Sequence, residues 1–373
     1  MGSQTVVLMA IPGFWVDDYE SLWCIMSDVD IVEARQQFSP DHCFLNTATV
    51  GLGTRDAAEA LAADLELWRS GRVDIYSYDE MIHRSRVAFS ELVGASDIDG
   101  IAIMSQLSSV SGMVAASLSP GDEVLVAEED FTSLLFPFLA RAEDGISTRV
   151  VPLDHIIEAI GDRTTLVAVS AVQSADGRVI DLDALADTAD SMGAMTFIDS
   201  THGAGWLPMN ADRFSVTAST AYKWLCCPRG AGLMTIRPDM LDRFRPNAAN
   251  WYAGELPWDT NYGPPLRLAR SARRFDISPA WSSWAAAAPT LELLAAVGTE
   301  TIHAHNLGLA NAFREGLGLE PSNSAIVSMP IEGAAEALAA ADISAAVRAG
   351  LTRLSFHLYN TVADVEEAIA ALT

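Results

Sequence analysis

Lysine is almost missing from this 373-residue sequence: it occurs once, at Lys223, so the other 22 of its 23 basic residues are arginine. Chemistry that needs a side-chain primary amine therefore has one candidate. Basic charge as a whole is short, with 23 Lys and Arg against 49 Asp and Glu and a formal charge of −26. Nucleic acid and anionic membranes both select clustered Lys and Arg, so the balance argues against either as a partner. Cysteine is scarce as well: Cys24, Cys43, Cys226 and Cys227 show no C-x-x-C spacing and no disulfide-framework density. Cys226 and Cys227 are neighbours, a poor geometry for two ligands of one structural zinc. The expectation is a reducing, cytoplasmic compartment and no metal. No uncharged apolar run reaches the roughly 18 residues of a membrane span. The short apolar stretch from Val6 to Val16 is broken by Pro12 and Gly13, and no basic residue precedes Arg35, so the positive start of a signal peptide is missing.

What is present is apolar residue, at 50% of the chain, enough to fill two cores. Apolar runs at 100–104, 123–127, 148–151, 166–172, 195–198 and 232–236 read as strands, and 133–142 and 182–192 as amphipathic helices between them. This alternation predicts an α/β fold, a parallel sheet covered by helices on both faces. Ahead of it, 55–68 and 81–92 read as helices; beyond about residue 240 a loop-rich, Trp- and Pro-bearing region leads to two alanine-rich helices. In the tail, 353–357 reads as strand and 363–372 as helix. The expected division is a large domain over 36–260 and a small one built from both chain ends, 1–35 and 261–373.

Chemistry concentrates where F-I-D-S-T-H (197–202) is followed by S-T-A-Y-K-W (219–224). An apolar strand ends on Asp199, at the sheet edge where open α/β folds bind ligands. The next strand leads to Lys223. Singly, each residue reads as a helix cap or a solvated side chain. Together they are what pyridoxal phosphate needs: an amine to form an imine with its aldehyde, and a carboxylate to keep its ring nitrogen protonated as an electron sink.

The order F-L-N-T-A (44–48), P-G-D-E-V (120–124), F-I-D (197–199), Y-K-W-L-x-x-P-R-G-x-G (222–232) and L-T-R-L-S-F-H-L-Y-N-T (351–361) resembles the class V aminotransferases. These are pyridoxal phosphate enzymes of fold type I, and include cysteine desulfurases, selenocysteine lyases and isopenicillin N epimerase. The resemblance implies a mostly parallel seven-stranded sheet with helices on both faces, a smaller α+β domain, and a homodimer. It implies Lys223 as the Schiff-base lysine, Asp199 as partner of the ring nitrogen, and His202 near the cofactor's phenolic oxygen. It places Ser108 and Ser109 at the phosphate, where a helix start with hydroxyls suits an anion, with Thr220 and Tyr222 holding it from the other side. Phe131 falls where relatives stack a ring on the cofactor, the alternative being a core phenylalanine. Ser174 stands where desulfurases carry an Asn, with Gln173 as a substitute. Ser278, in the loop 278–281, is the candidate reaching a partner subunit's phosphate site. Arg353 matches the arginine that grips the substrate α-carboxylate, with Asn46 beside the substrate.

Desulfurases place a catalytic cysteine upstream of that arginine, and none lies between Pro321 and Arg353. The expectation is therefore a carbon–sulfur β-lyase acting on a cysteine S-conjugate or its sulfoxide. The K-W-L-x-x-P-R-G-x-G stretch and Ser174 are similar to the hercynylcysteine sulfoxide lyase branch. Other chemistry on an amino acid stays open, namely decarboxylation with oxidative deamination, transamination or epimerisation, because the same Lys, Asp and Arg serve all of them. A cofactor-binding protein without turnover is the remaining class. Trp251, Tyr252, Trp258, Tyr262 and Trp281 are expected at a substrate entrance or in a dimer interface.

Overall fold

The computed structural model describes residues 29–373; the Val6–Val16 stretch, Cys24 and most of the expected N-terminal share of the small domain lie outside the described residues. The described chain opens with α1 (Ile31–Arg35), β1 (Cys43–Phe44), α2 (Arg55–Ser70) and α3 (Ser77–Val93). Alternation follows: β2 (Ile101–Met104), α4 (Leu107–Ala116), β3 (Glu123–Ala127), α5 (Thr132–Leu139), β4 (Ser147–Val151) and β5 (Thr164–Ser170). Next come α6 (Leu182–Met192), β6 (Met195–Asp199), β7 (Val216–Thr220) and β8 (Gly232–Ile236). After a long loop, α7 (Trp281–Val297) and α8 (Thr299–Gly316) precede β9 (Ile326–Met329), α9 (Ala334–Ala340) and β10 (Ile343–Ser344). β11 (Ala346–Arg348), β12 (Leu351–Ser355) and α10 (Val362–Leu372) end the chain.

Seven strands form the main sheet in the order β2-β8-β7-β6-β5-β3-β4. All neighbours run parallel except β8, which is antiparallel to both β7 and β2. Both faces are covered, which is why these strands read as unbroken apolar runs. Successive residues feed opposite faces: Val167, Val169 and Ile198 enter one core, Leu166, Ala168 and Phe197 the other. Helix limits follow local chemistry. The Asp181 side chain accepts the Ala184 amide to start α6, and Gly193 ends it at φ 67°.

A third core gathers Cys43 and Leu45 with Leu309, Phe313, Val327, Leu354 and Val365 beneath the β11-β12-β9 sheet. Trp284, Leu291 and Leu294 of α7, and Ile302 early in α8, belong instead to a core of the large sheet. Ala272 and Phe275 join the other large core. On this packing we propose that the division between the two units runs through α8 rather than at residue 261, with Cys43–Leu45 contributing to the small unit.

Candidate active site

β3, β5, β6 and β7 occupy consecutive places in the sheet, and past their carboxyl ends stand Phe131, Ser170, Asp199 and the 220–223 segment. Lys223 sits in a tight turn: the Cys226 amide donates to its carbonyl at 3.0 Å and the Cys227 amide to Ala221 at 2.9 Å. Cys226 adopts φ 54° to close it, a conformation costing a non-glycine residue about 1–2 kcal/mol. Gly51 presses onto the same turn, its amide donating to the Tyr222 carbonyl at 2.9 Å. A Cβ at Gly51 would stand 2.0 Å from the Lys223 carbonyl oxygen, so only glycine fits there.

The turn opens on a cavity of about 240 Å³. Lys223, Asp199, His202, Thr220 and Tyr222 line it from β6 and β7, and Ser108 and Phe131 from the starts of α4 and α5. Burial lowers the Lys223 amine to about 8; Asp199 pulls it back up, while Arg353, Arg348 and Arg229 press it down. Burial lifts the Asp199 carboxyl to about 6 against the hydrogen bonds of Thr201, whose amide donates to Oδ1 at 2.9 Å. Burial and the neighbouring Lys223 charge hold the His202 imidazole well below its usual range.

The hydrogen bonds fix the tautomer of that histidine. The Trp224 indole N–H donates to His202 Nδ1 at 3.3 Å, and an indole nitrogen can only donate. The proton of neutral His202 is therefore on Nε2, which lies 2.8 Å from Lys223 Nζ. In that arrangement Nζ accepts, which requires the free amine. Phe131 is 44% exposed, not a core residue, and its ring centroid lies 5.5 Å from Nζ. Arg229 covers the Tyr222 ring at 4.8 Å and lines the cavity too.

Other singled-out residues stand elsewhere. Ser109 donates to the Gln106 carbonyl at 2.6 Å and lines a separate pocket with Met113 and Pro246. Ser278 is exposed and accepts the Trp251 indole N–H at 3.2 Å, outside the cavity lining. Ser174 meets Arg353, whose Nη1 donates to the Ser174 carbonyl. Arg353 Nη2 donates to Thr49 Oγ1 at 3.0 Å, and Arg348 donates to the same oxygen at 3.3 Å. Arg353 is 1% exposed, its Nε has no partner, and no carboxylate pairs with it among the described residues. Asn46 Oδ1 is likewise buried without a partner. Trp251, Tyr252, Trp258, Tyr262 and Trp281 do not line the Lys223 cavity. Tyr252 and Trp258 donate to Asp79 at 2.8 and 2.7 Å in a different pocket, Trp281 stacks on Tyr78, and Tyr262 is 86% exposed.

Sequence reasoning passed over Thr49, Thr201, Asp130 and Ser170. Asp130 closes the acidic run Glu128–Glu129–Asp130, which reads as a solvated face; yet Asp130 is buried and accepts the Phe131 amide at 2.7 Å. Arg229 stood in a quoted motif without a role.

The sequence model of the family described as aminotransferase class-V matches residues 78–368. The chain belongs to the class-V aminotransferase family. Among class-V relatives, an uncharacterised aminotransferase of Bacillus subtilis, YcbU, is 28% identical over 79% of this chain and 84% of its own. Isopenicillin N epimerase of Streptomyces clavuligerus is 24% identical over 80% of each chain. In structure, the cysteine desulfurase CsdA of Escherichia coli superposes with a TM-score of 0.76 at 20% identity, covering 92% of this chain and 97% of its own. The cystine C–S lyase C-DES, in complex with its product cysteine persulfide, superposes at 0.80 and 20% identity, covering 89% and 97%. These likenesses bear out the fold-type I architecture.

Class-V enzymes depend on pyridoxal phosphate, and this chain is an enzyme of that family. Its residues fit the cofactor. An amine lowered to about 8 favours covalent capture of an aldehyde, and a carboxyl at the sheet edge suits the ring nitrogen. A partly exposed phenyl face and the N-terminus of α4 complete the set for ring and phosphate. No helix among the described residues is long and apolar enough to cross a membrane.

Proposed function

We propose that this chain is a pyridoxal phosphate-dependent C–S β-lyase acting on a cysteine S-conjugate or its sulfoxide. Water is consumed, and the products are a thiol or sulfenate, pyruvate and ammonia. The observation that carries this reading is the state of the thiols. Cys43, Cys226 and Cys227 are all buried, and burial pushes each well above the usual range. None lines the Lys223 cavity. With no usable thiolate among the described residues, the site is suited to a substrate whose leaving group already sits on Cβ.

The bound cofactor supplies the electron sink. Lys223 Nζ, free as an amine above about pH 8, takes the substrate Cα proton. His202 Nε2–H, 2.8 Å away, holds the lone pair of that amine and must release it before Nζ takes the proton. Arg353 and Asn46 bind the substrate: the guanidinium is held only by neutral oxygens of Ser174 and Thr49, which a carboxylate outcompetes through two parallel charge-assisted bonds. A second cavity of about 530 Å³ shares Tyr222 and Arg229 with the first and is lined by Thr49 and by Cys226 and Cys227, whose thiols burial keeps protonated; it gives room for the conjugate's S-substituent. Ser108, Thr220 and Tyr222 are assigned to the phosphate.

Elimination needs a base on only one face of Cα. The Lys223 and His202 nitrogens are 2.8 Å apart and serve one side, which favours elimination. The exposed apolar side chains Trp68, Tyr262 and Leu266 support a homodimer, with Ser278 offered to the partner's phosphate site. The test is a panel of cysteine S-conjugates and sulfoxides with products identified by mass. Equal pyruvate, ammonia and sulfur fragment are expected; carbon dioxide or an aldehyde without pyruvate would overturn the proposal.

A further inference from the structure

Behind the Lys223 cavity, two buried carboxylates meet through one hydroxyl. Asp130, Ser170 and Asp199 are each 5% exposed or less. Ser170 and Asp199 are register partners on β5 and β6, which puts their side chains at the same level of the sheet edge. Asp130 follows β3, the neighbour of β5 on its other side. Asp130 Oδ1 accepts the Phe131 amide at 2.7 Å and the Ser170 hydroxyl. Its Oδ2 accepts the Ser170 amide at 2.7 Å and Gln173 Nε2 at 3.3 Å. Ser170 Oγ stands 3.5 Å from Asp199 Oδ2.

Three of the partners of Asp130, the Phe131 and Ser170 amides and Gln173 Nε2, are N–H groups that can only donate. They favour the carboxylate against the burial that raises its carboxyl, and the Ser170 hydroxyl completes the set as a fourth donor. The Ser170 hydroxyl has one proton, already given to Asp130. Toward Asp199 it therefore presents a lone pair. An ionised Asp199 Oδ2 faces that lone pair, and beyond it a fixed negative charge; a proton at Asp199 relieves both. In keeping with this, burial raises the Asp199 carboxyl most and the Asp130 charge adds to it, while the Thr201 hydrogen bonds and Lys223 oppose it.

We propose that Asp130, acting through Ser170, is a positioning residue that retains one proton on the pair formed by Asp199 and the cofactor ring nitrogen. Its bond to the Phe131 amide also anchors the start of α5, and so the ring beside Lys223. The inference rests on the reading that Asp199 pairs with that nitrogen. It adds a second carboxylate whose charge holds the electron sink protonated at alkaline pH. Replacing Asp130 by Asn supplies an amide donor in place of an acceptor. The Ser170 proton then turns toward Asp199, and the pair's affinity for its proton falls.

The test uses holoprotein carrying ¹⁵N-labelled cofactor, with ring-nitrogen protonation followed by NMR against pH in wild type, D130N, S170A and D199N. Asp130→Asn is expected to move the deprotonation midpoint down by at least one pH unit, and Ser170→Ala by part of that. Asp199→Asn should remove the ring proton across the range. A merely structural role for Asp130 would lower stability or cofactor content and leave the midpoint in place. If Asp199→Asn removes the proton while Asp130→Asn and Ser170→Ala titrate as wild type, the Asp130 proposal is overturned and the Asp199 reading stands. If Asp199→Asn keeps the proton, the Asp199 reading fails, and this proposal with it. Should Asp130→Asn fail to fold, Ser170→Ala decides alone: an unchanged midpoint overturns the proposal.

Discussion

At the sheet edge, Trp224, His202 and Lys223 form a closed run of partners, and each Asp130 oxygen takes two donors. At the small unit, Asn46 Oδ1 and Arg353 Nε are buried with no partner, and Arg353 leans on neutral oxygens. The first wall is fixed before any ligand arrives, as suits a resident cofactor. The second is built from β12 and the segment after β1, and on the proposed reading its neutral contacts give way to a substrate carboxylate. Damage to the sheet edge should fall on chemistry, and damage to the arginine wall should reach binding as well.

The largest effect belongs to Lys223. Lys223→Ala should abolish the visible absorbance of the linked cofactor and lower kcat by about 10²–10⁴-fold through loss of the base alone. With no other lysine in the chain, no neighbour substitutes. Unchanged absorbance in that variant would dissolve the distinction between the walls. Next comes Arg353→Ala, which should raise KM and lower kcat, because the clamp both binds the substrate and orients its Cα–H bond. Loss of a buried charge-assisted contact costs about 2–5 kcal/mol, so kcat/KM should drop roughly 30- to several-thousand-fold. A variant with kcat/KM intact would remove Arg353 from the substrate site. A smaller effect concerns pH. Below about 8 the Lys223 amine is protonated and cannot attack an aldehyde; above it the amine is free. Cofactor uptake by apoprotein should thus quicken as pH rises through about 8 and then level off. A midpoint near the ordinary lysine value of 10.5 would show that burial does not tune this wall.

The sheet edge was legible because strand ends carry their chemistry in order: F-I-D and Y-K-W name Asp199 and Lys223 without any contact being known. Asp130 and Ser170 were not. One closes an acidic run and the other ends an apolar strand, and only the adjacency of β3, β5 and β6 brings them to Asp199. Ser108 and Ser109 were nominated together, yet successive helical residues point about 100° apart, so Ser108 faces the cavity and Ser109 does not. The arginine wall was legible only through Arg353 and Asn46. Thr49 joins it because a loop near the start of the chain crosses to β12, a pairing of distant segments that periodicity does not encode. The proposal that the boundary lies in α8 rests on packing that a change in sequence texture near 261 does not encode, since α7 packs on the large core through Leu291 and Leu294.

The central claim is C–S cleavage at the Lys223 wall without an enzyme thiol, and turnover of a cysteine conjugate by a variant with all four cysteines replaced by alanine tests it most directly. The account predicts pyruvate, ammonia and sulfur fragment in equal amounts, at a rate within about threefold of wild type, since no thiol enters the acid–base chemistry. Loss of turnover in a variant that still folds and binds cofactor would contradict it.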